Sequence, residues 1–237
     1  MEKVSVESFV VEMGRLCNRV CKHCLRGKME DVTGNLDYIK ETLMQISYIG
    51  CITFTGGEPT IYAKEIAEIV DYIVENNIEV HNFYVASNGE EYSHELMVAL
   101  IKLYAYIYDY SCCEITAFDV SSDQFHNPNK NVVAKLRAFT FFQQRNDIPM
   151  TGIISEGYAN ENNIGYRHLD YGKKFYVTEN DYRDEIEYTI ELLYQNAFGE
   201  YFPDCDYSFE TQRKLDKLDH NTKLIDLVKN EDFSTIY

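Results

Sequence analysis

The sequence predicts an α/β fold in which repeated β-α units surround a parallel sheet. Three observations predict it. Strand-like and helix-like stretches alternate from the N-terminus to the middle of the chain, and the strand-like stretches close on short polar or glycine turns. A share of 45 % hydrophobic and 26 % charged residues is that of a folded globular chain. At 237 residues, one barrel-like domain, or one with a small appendage, fits as well as two domains.

Residues 8–12 are the first short β-rich run, ending at a loop crowded with cysteines. Over 37–49, Ile39, Leu43, Ile46 and Ile49 recur at helical spacing and Gly50 follows as a stop, so a helix is expected there. Residues 51–55 make the second strand, running into Gly56-Gly57-Glu58-Pro59, after which Ile66, Ile69, Val70 and Ile73 mark a second amphipathic helix. A third strand over 80–86 closes at Ser87-Asn88-Gly89, and Leu96, Leu100, Leu103 and Ile107 give the third helix. The fourth strand is expected over 115–120, ending at Ser121-Ser122-Asp123, the fourth helix over 132–142 and a short fifth strand over 149–154. Then Ile186, Tyr188, Ile190 and Leu192 alternate with polar neighbours at period two, the mark of a half-exposed strand. Ala197-Phe198-Gly199 reads as a turn into a further strand over 200–204, an antiparallel hairpin. Leu215, Leu218, Leu224, Ile225 and Leu227 suit one or two short outer helices, and the polar stretch 160–174 is where a domain break would fall.

The charge balance excludes more than it selects. With 22 Lys and Arg against 39 Asp and Glu the net charge is −17, opposite to the basic face that nucleic-acid binding requires. No apolar run reaches the roughly 18–20 residues of a membrane span, and the start MEKVSVESF lacks the basic-then-apolar pattern of a signal peptide. A cytoplasmic protein is expected. Tyr is abundant at 20 residues and Trp absent, a bias that reports packing. Seven cysteines is an odd count, and three crowd one loop, which points to metal or redox chemistry over a disulfide framework.

Cys17-Asn18-Arg19-Val20-Cys21-Lys22-His23-Cys24 sets three thiols at a three-then-two spacing just after a strand. Zinc in a structural site closes with four ligands, so zinc here would draw a fourth from His23 or Cys205. On an iron-sulfur cube, three thiolates leave one iron open to an exogenous ligand. Both readings stand on the loop alone. The loop and the Gly56-Gly57-Glu58-Pro59 turn follow successive strands, and carboxyl ends of such strands form a rim that carries active sites.

The loop CNRVCKHC, with TGGEPT after the next strand, resembles the radical S-adenosylmethionine superfamily, and residues 9–156 can be laid over that family's core. The resemblance implies a partial (β/α)6 TIM-like barrel over residues 1–175, with a C-terminal β-hairpin and helical extension over 176–237 packed on it. It implies a 4Fe-4S cluster held by Cys17, Cys21 and Cys24, with S-adenosyl-L-methionine chelating the free iron. One electron then splits the sulfonium, and a 5′-deoxyadenosyl radical abstracts hydrogen from the substrate. Gly56 and Gly57 let backbone approach the methionine moiety, and Glu58 accepts from its ammonium group and joins the three cysteines as the implied catalytic set. His23 stands where the family usually carries an aromatic beside the adenine. Asn88 matches the third-strand terminus, Ser121 and Asp123 the Ser-x-Asp that reaches the ribose or carboxylate, and 151–157 partly matches a fifth-strand glycine motif.

Arg15, Arg19, Lys22, Arg26 and Lys28 reverse the global sign around the cysteine loop. They suit an anionic reduced cluster or an acidic electron donor such as flavodoxin or ferredoxin, or form a solvated loop face. The turn from Gly199 to Cys205 resembles the start of the auxiliary-cluster domain of peptide-modifying members. No cysteine follows Cys205, and Cys51, Cys112 and Cys113 are expected on strands as small buried hydrophobes, so a second cluster is not expected. The substrate readings are a peptide, although no leader-binding domain is expected; a glycyl radical enzyme to be activated; or a small nucleotide or metabolite. A non-catalytic iron-sulfur protein, acting as sensor or scaffold, is the reading from another class.

Overall fold

The computed structural model describes residues 4–107, 116–146, 149–182 and 185–236. Five parallel strands come first, β1 (Val4–Glu12), β2 (Ile46–Thr55), β3 (Glu79–Ser87), β4 (Ala117–Ser121) and β5 (Phe142–Arg145). Helices α1 (Leu36–Leu43), α2 (Ala63–Glu75), α3 (His94–Ile107) and α4 (Lys130–Leu136) alternate with them. A short α5 (Gly157–Glu161) leads to β6 (Phe175–Tyr182), β7 (Glu185–Gln195) and β8 (Tyr201–Phe202), then α6 (Phe209–Lys214), α7 (Leu224–Val228) and β9 (Ser234–Ile236).

The strands share one sheet of order β5-β4-β3-β2-β1-β7-β6-β9, with β8 paired to β7. β7 lies parallel beside β1, and β6 and β8 run antiparallel to β7, so the expected hairpin forms with a two-residue second arm. Residues on both sides of 175 therefore belong to the same sheet. The sheet is open: β5 and β9 are its edges and do not pair with each other among the described residues. What the structure establishes is an α/β fold on a mostly parallel sheet.

One face of the sheet is covered by helices. Phe9, Val11, Ile52, Phe54, Phe83, Val85, Phe118 and Val120 meet Ile66, Ile69, Val70, Ile73, Leu96, Leu100 and Leu103 there, all essentially buried. Each such side chain contributes roughly 1.5–3 kcal/mol through removal from water. The alternate strand positions, among them Ser8, Thr53 and Tyr84, face away from this core and line a hollow. No helix among the described residues is long and apolar enough to cross a membrane.

Several boundaries differ from the sequence expectation. The helix expected over 37–49 ends at Leu43, and Ile46 and Ile49 begin β2, because β-branched side chains fit a pleated strand as well as a helix face. Gly50 is no stop: it sits inside β2 with its α-carbon pressed on β1, where a β-carbon would lie 2.6 Å from the Glu7 carbonyl oxygen. Helix α4 ends at Leu136, and the fifth strand is 142–145 instead of 149–154, where a 3-10 turn (Met150–Gly152) stands. Cys112 and Cys113 lie outside the described residues.

Candidate active site

Because β1 to β4 are parallel and in register, with Glu12 opposite Thr55 and Ser87 opposite Val120, their carboxyl ends form one rim. The segments that leave it are the cysteine loop, the glycine turn, Asn88-Gly89 and Ser122-Asp123.

Backbone bonds join the first two. Met13 N–H donates to the Thr55 carbonyl (2.8 Å), Gly57 N–H to that of Gly14 (3.0 Å) and Glu58 N–H to that of Leu16 (2.9 Å). A β-carbon on Gly57 would lie 1.9 Å from the Leu16 oxygen, and one on Gly56, whose φ is +142°, 2.2 Å from the Gly14 oxygen. Both glycines are thus required for the loop and the turn to meet at all. The Tyr62 hydroxyl adds a brace, accepting from Leu16 N–H (2.6 Å) and donating to the Val32 carbonyl (3.2 Å).

Glu58 is 2 % exposed. Its Oε1 accepts from the Ser87 hydroxyl (2.8 Å) and from the Thr60 hydroxyl (2.9 Å) and amide (3.3 Å), and Oε2 accepts from Asn88 N–H (2.9 Å). Burial pushes its carboxyl above the ordinary range, and these donors act against that shift. Asn88 continues the chain of contacts, its side-chain amide donating to Asn18 Oδ1 (2.8 Å) and reaching Cys17 Sγ at 3.9 Å.

Cys17, Cys21 and Cys24 are free, half-buried thiols lining one small hollow with Arg19, Arg26 and Gly57. Burial, then neighbouring anionic groups, raises Cys17, and burial with the other two thiols pushes Cys21 up to about 11. Cys17 and Cys21, held from ionising chiefly by burial, suit a cationic centre that binds them as thiolates, and with Cys24 in the same hollow the donor set fits an iron-sulfur cluster. Cys51 lies mid-strand, apart from this trio.

His23 is not a solvent-exposed ring. It stacks on Phe125 (centroids 4.2 Å) and meets His126 edge-on (4.8 Å). Its Nδ1 is buried without a partner among the described residues. Burial and His126 push its pKa down to about 4, so the ring is neutral at neutral pH. Asp123 accepts from Phe125 N–H (2.8 Å) and contacts His126 Nδ1 (3.0 Å). Burial works against its ionisation, yet these partners outweigh it and hold the carboxyl below its usual value. His126 Nε2 lies 3.8 Å from Cys21 Sγ. Ser121 closes β4, buried beside this group. Phe125 and His126 escaped the sequence reading, their one signal being position just after a strand end.

Below the loop, Arg15 is 1 % exposed and bonds Glu12 (2.6 Å), Glu30 (3.1 Å) and Gln212 (2.6 Å), while Tyr194 also donates to Glu12. This buried network ties the loop to β7 and α6. It also corrects the basic patch: Arg15 faces inward, Arg19 pairs with Glu90, and Arg26 donates to the Tyr207 carbonyl (2.8 Å), leaving Lys22 and Lys28 as its exposed members. From the opposite side, Tyr158 N–H donates to the Cys24 carbonyl (2.9 Å), and Gly157, at φ +47°, packs on Gly27. Cys205 sits between Asp204 and Asp206, pushed up to about 12 by burial and Asp206, and those carboxylates are bonded to Lys173 and Arg167.

Residues 9–107 match the family model of the 4Fe-4S single cluster domain, a span that holds the cysteine loop, the glycine turn and Asn88. No curated protein matches the chain. Among solved structures, native anSMEcpe with bound AdoMet and Cp18Cys peptide is similar at 12 % identity and a TM-score of 0.55, over 96 % of this chain and 81 % of that one. Streptococcus suis SuiB bound to precursor peptide SuiA is similar at 12 % identity and a TM-score of 0.51, over 96 % of this chain. The chain spans 65 % of that SuiB structure, just under two thirds. At such identity these likenesses establish the fold.

Proposed function

We infer that this chain, with its CxxxCxxC loop and single-cluster domain, is a radical S-adenosylmethionine enzyme acting on a peptide substrate. One observation carries the reading: the cysteine loop and the glycine turn are bonded backbone to backbone, so that three thiols and a buried carboxylate meet on the strand rim. A 4Fe-4S cluster held there by Cys17, Cys21 and Cys24 would supply the one electron that splits S-adenosylmethionine into methionine and a 5′-deoxyadenosyl radical.

In this reading Cys17, Cys21 and Cys24 hold the cluster. Glu58 Oε2, with one protein donor, accepts from the ammonium of the methionine moiety. Gly56 and Gly57, lacking side chains, let backbone approach the methionine moiety. His23, braced on Phe125, borders the adenine, while Asn88, Ser121 and Asp123 offer polar atoms to the ribose and carboxylate. Residues 1–175 are the catalytic core, and 176–237 support it by adding β7 beside β1 and by buttressing the loop through Gln212. The arc from β5 to β7 is a partial barrel whose uncovered face receives the substrate. A reducing cytoplasm preserves the free thiols, and an electron donor docks near Lys22 and Lys28. Peptide is favoured because both similar solved structures hold one.

The test is anaerobic reconstitution with iron and sulfide, followed by S-adenosylmethionine and dithionite. The expected products are 5′-deoxyadenosine and methionine, absent after Cys21→Ala. Reconstituted protein that yields neither is the inert iron-sulfur protein instead.

A further inference from the structure

The face of the sheet turned from the helices holds a groove of about 470 Å³ between Glu7, Cys51, Thr53, Tyr84, Glu191 and Leu192. Glu7 and Glu191 also border a second hollow of about 380 Å³ that extends over β6 past Thr178 and Asn180, so they stand between the two. Among the described residues, neither carboxylate has a cationic partner within 4.0 Å.

Nearer the rim stands Asp119. Its neighbours Phe118 and Val120 lie in the helix-side core, so strand alternation turns Asp119 to the grooved face. There its Oδ2 accepts from the Tyr84 hydroxyl (2.6 Å) and forms an ion pair with Arg145 (3.2 Å). Asp119 is 6 % exposed, and its Oδ1 is buried with no donor among the described residues. A buried acceptor left unmet is costly, and one held in place by a phenol and a guanidinium is ready for an incoming donor.

Two carboxylates on the groove wall, Glu7 and Glu191, and a third, Asp119, bonded to the lining residue Tyr84, select the charge of what enters. An acidic ligand is repelled, and a neutral one leaves the charges uncompensated. A cation compensates Glu7 and Glu191 and can donate to the one open oxygen of Asp119, whose other oxygen Arg145 already pairs. We propose that the groove takes a peptide segment bearing a lysine or arginine side chain, whose cationic head donates to Asp119 Oδ1 while Glu7 and Glu191 draw the segment in. This rests on the reading above for the peptide nature of the substrate and adds its charge. Leu192 and the Tyr84 ring supply apolar surface for the aliphatic stem.

The experiment titrates the reconstituted full chain with acetyl-Ala-Lys-Ala-amide and its Gln and Glu counterparts by isothermal calorimetry at low salt. The Lys probe is expected to bind about tenfold more tightly than the Gln probe, and the Glu probe not at all. Asp119→Asn is expected to remove that preference. The double variant Glu7→Gln, Glu191→Gln, on exposed positions that do not threaten folding, is expected to weaken the Lys probe and flatten its salt dependence. Equal binding of the three probes, no binding of any, or a preference untouched by these variants overturns the proposal. Uncoupled cleavage of S-adenosylmethionine is assayed on the same wild-type protein. Cleavage without Lys preference sinks only the groove, and Lys preference without cleavage sinks the enzymatic reading.

Discussion

Replacing Gly57 by alanine places a methyl carbon 1.9 Å from the Leu16 carbonyl oxygen and 3.0 Å from Cys17 N, both backbone atoms that no rotamer change can move aside. The strand end and the cysteine loop must separate. The separation stretches two hydrogen bonds, Gly57 to Gly14 and Glu58 to Leu16, each contributing about 1 kcal/mol net. Overpacking adds about 1–3 kcal/mol. The sum, about 3–5 kcal/mol, is a large part of the roughly 5–15 kcal/mol that holds a domain folded. For a chain of this size it lowers the melting midpoint by about 10 °C. The assay is thermal melting of the metal-free chain by circular dichroism, followed by iron analysis after reconstitution, where Gly57→Ala should retain little iron. A midpoint within about 2 °C of wild type, with full iron loading, would refute the claim that the glycines exist to let loop and turn meet.

Arg15→Met leaves the Glu12 carboxylate buried without its cation, and a loss of about 3–5 kcal/mol is expected in urea unfolding; the double variant Glu12→Gln, Arg15→Met should recover part of it. Glu156 offers a pH test. Burial opposes its ionisation, but Ser208, Thr211 and Tyr171 outweigh burial and hold its folded pKa below the ordinary 4.5. Its contribution is therefore complete above about pH 4.5 and lost as pH falls through the folded value, and Glu156→Gln should flatten that acid limb of the stability profile. Glu58→Gln keeps the shape and removes the charge; S-adenosylmethionine binding by the reconstituted protein should weaken about tenfold or more, while iron content holds.

The chemistry of the site was more legible than its support. Three cysteines at fixed spacing and a Gly-Gly-Glu turn after a strand are local signals, and the structure brings them together. The alternation of strands and helices was legible through β4 because each element buries an apolar face with a clear period. Ile46 and Ile49 misled because they satisfy both periods. Strand β5, with the sequence Phe142-Gln-Gln-Arg145, escaped because an edge strand with one polar, exposed face needs no apolar run. The arms of the Arg15 network to Tyr194 and Gln212 and the His23–Phe125 stack were invisible because they join residues about a hundred or more positions apart, and nothing in a charge or ring at one position names its distant partner. A cluster of like charges on a loop reads as surface until the buried counter-charge, here Glu12, is known.

The central claim is that three thiolates leave one iron of a cube open for S-adenosylmethionine. Electron paramagnetic resonance of the reconstituted, dithionite-reduced protein tests it most directly, recorded with and without S-adenosylmethionine. The account predicts about four iron atoms per chain and a cluster signal whose g-values move when S-adenosylmethionine is added. A colourless protein carrying zinc, or a cluster signal indifferent to S-adenosylmethionine, would contradict it.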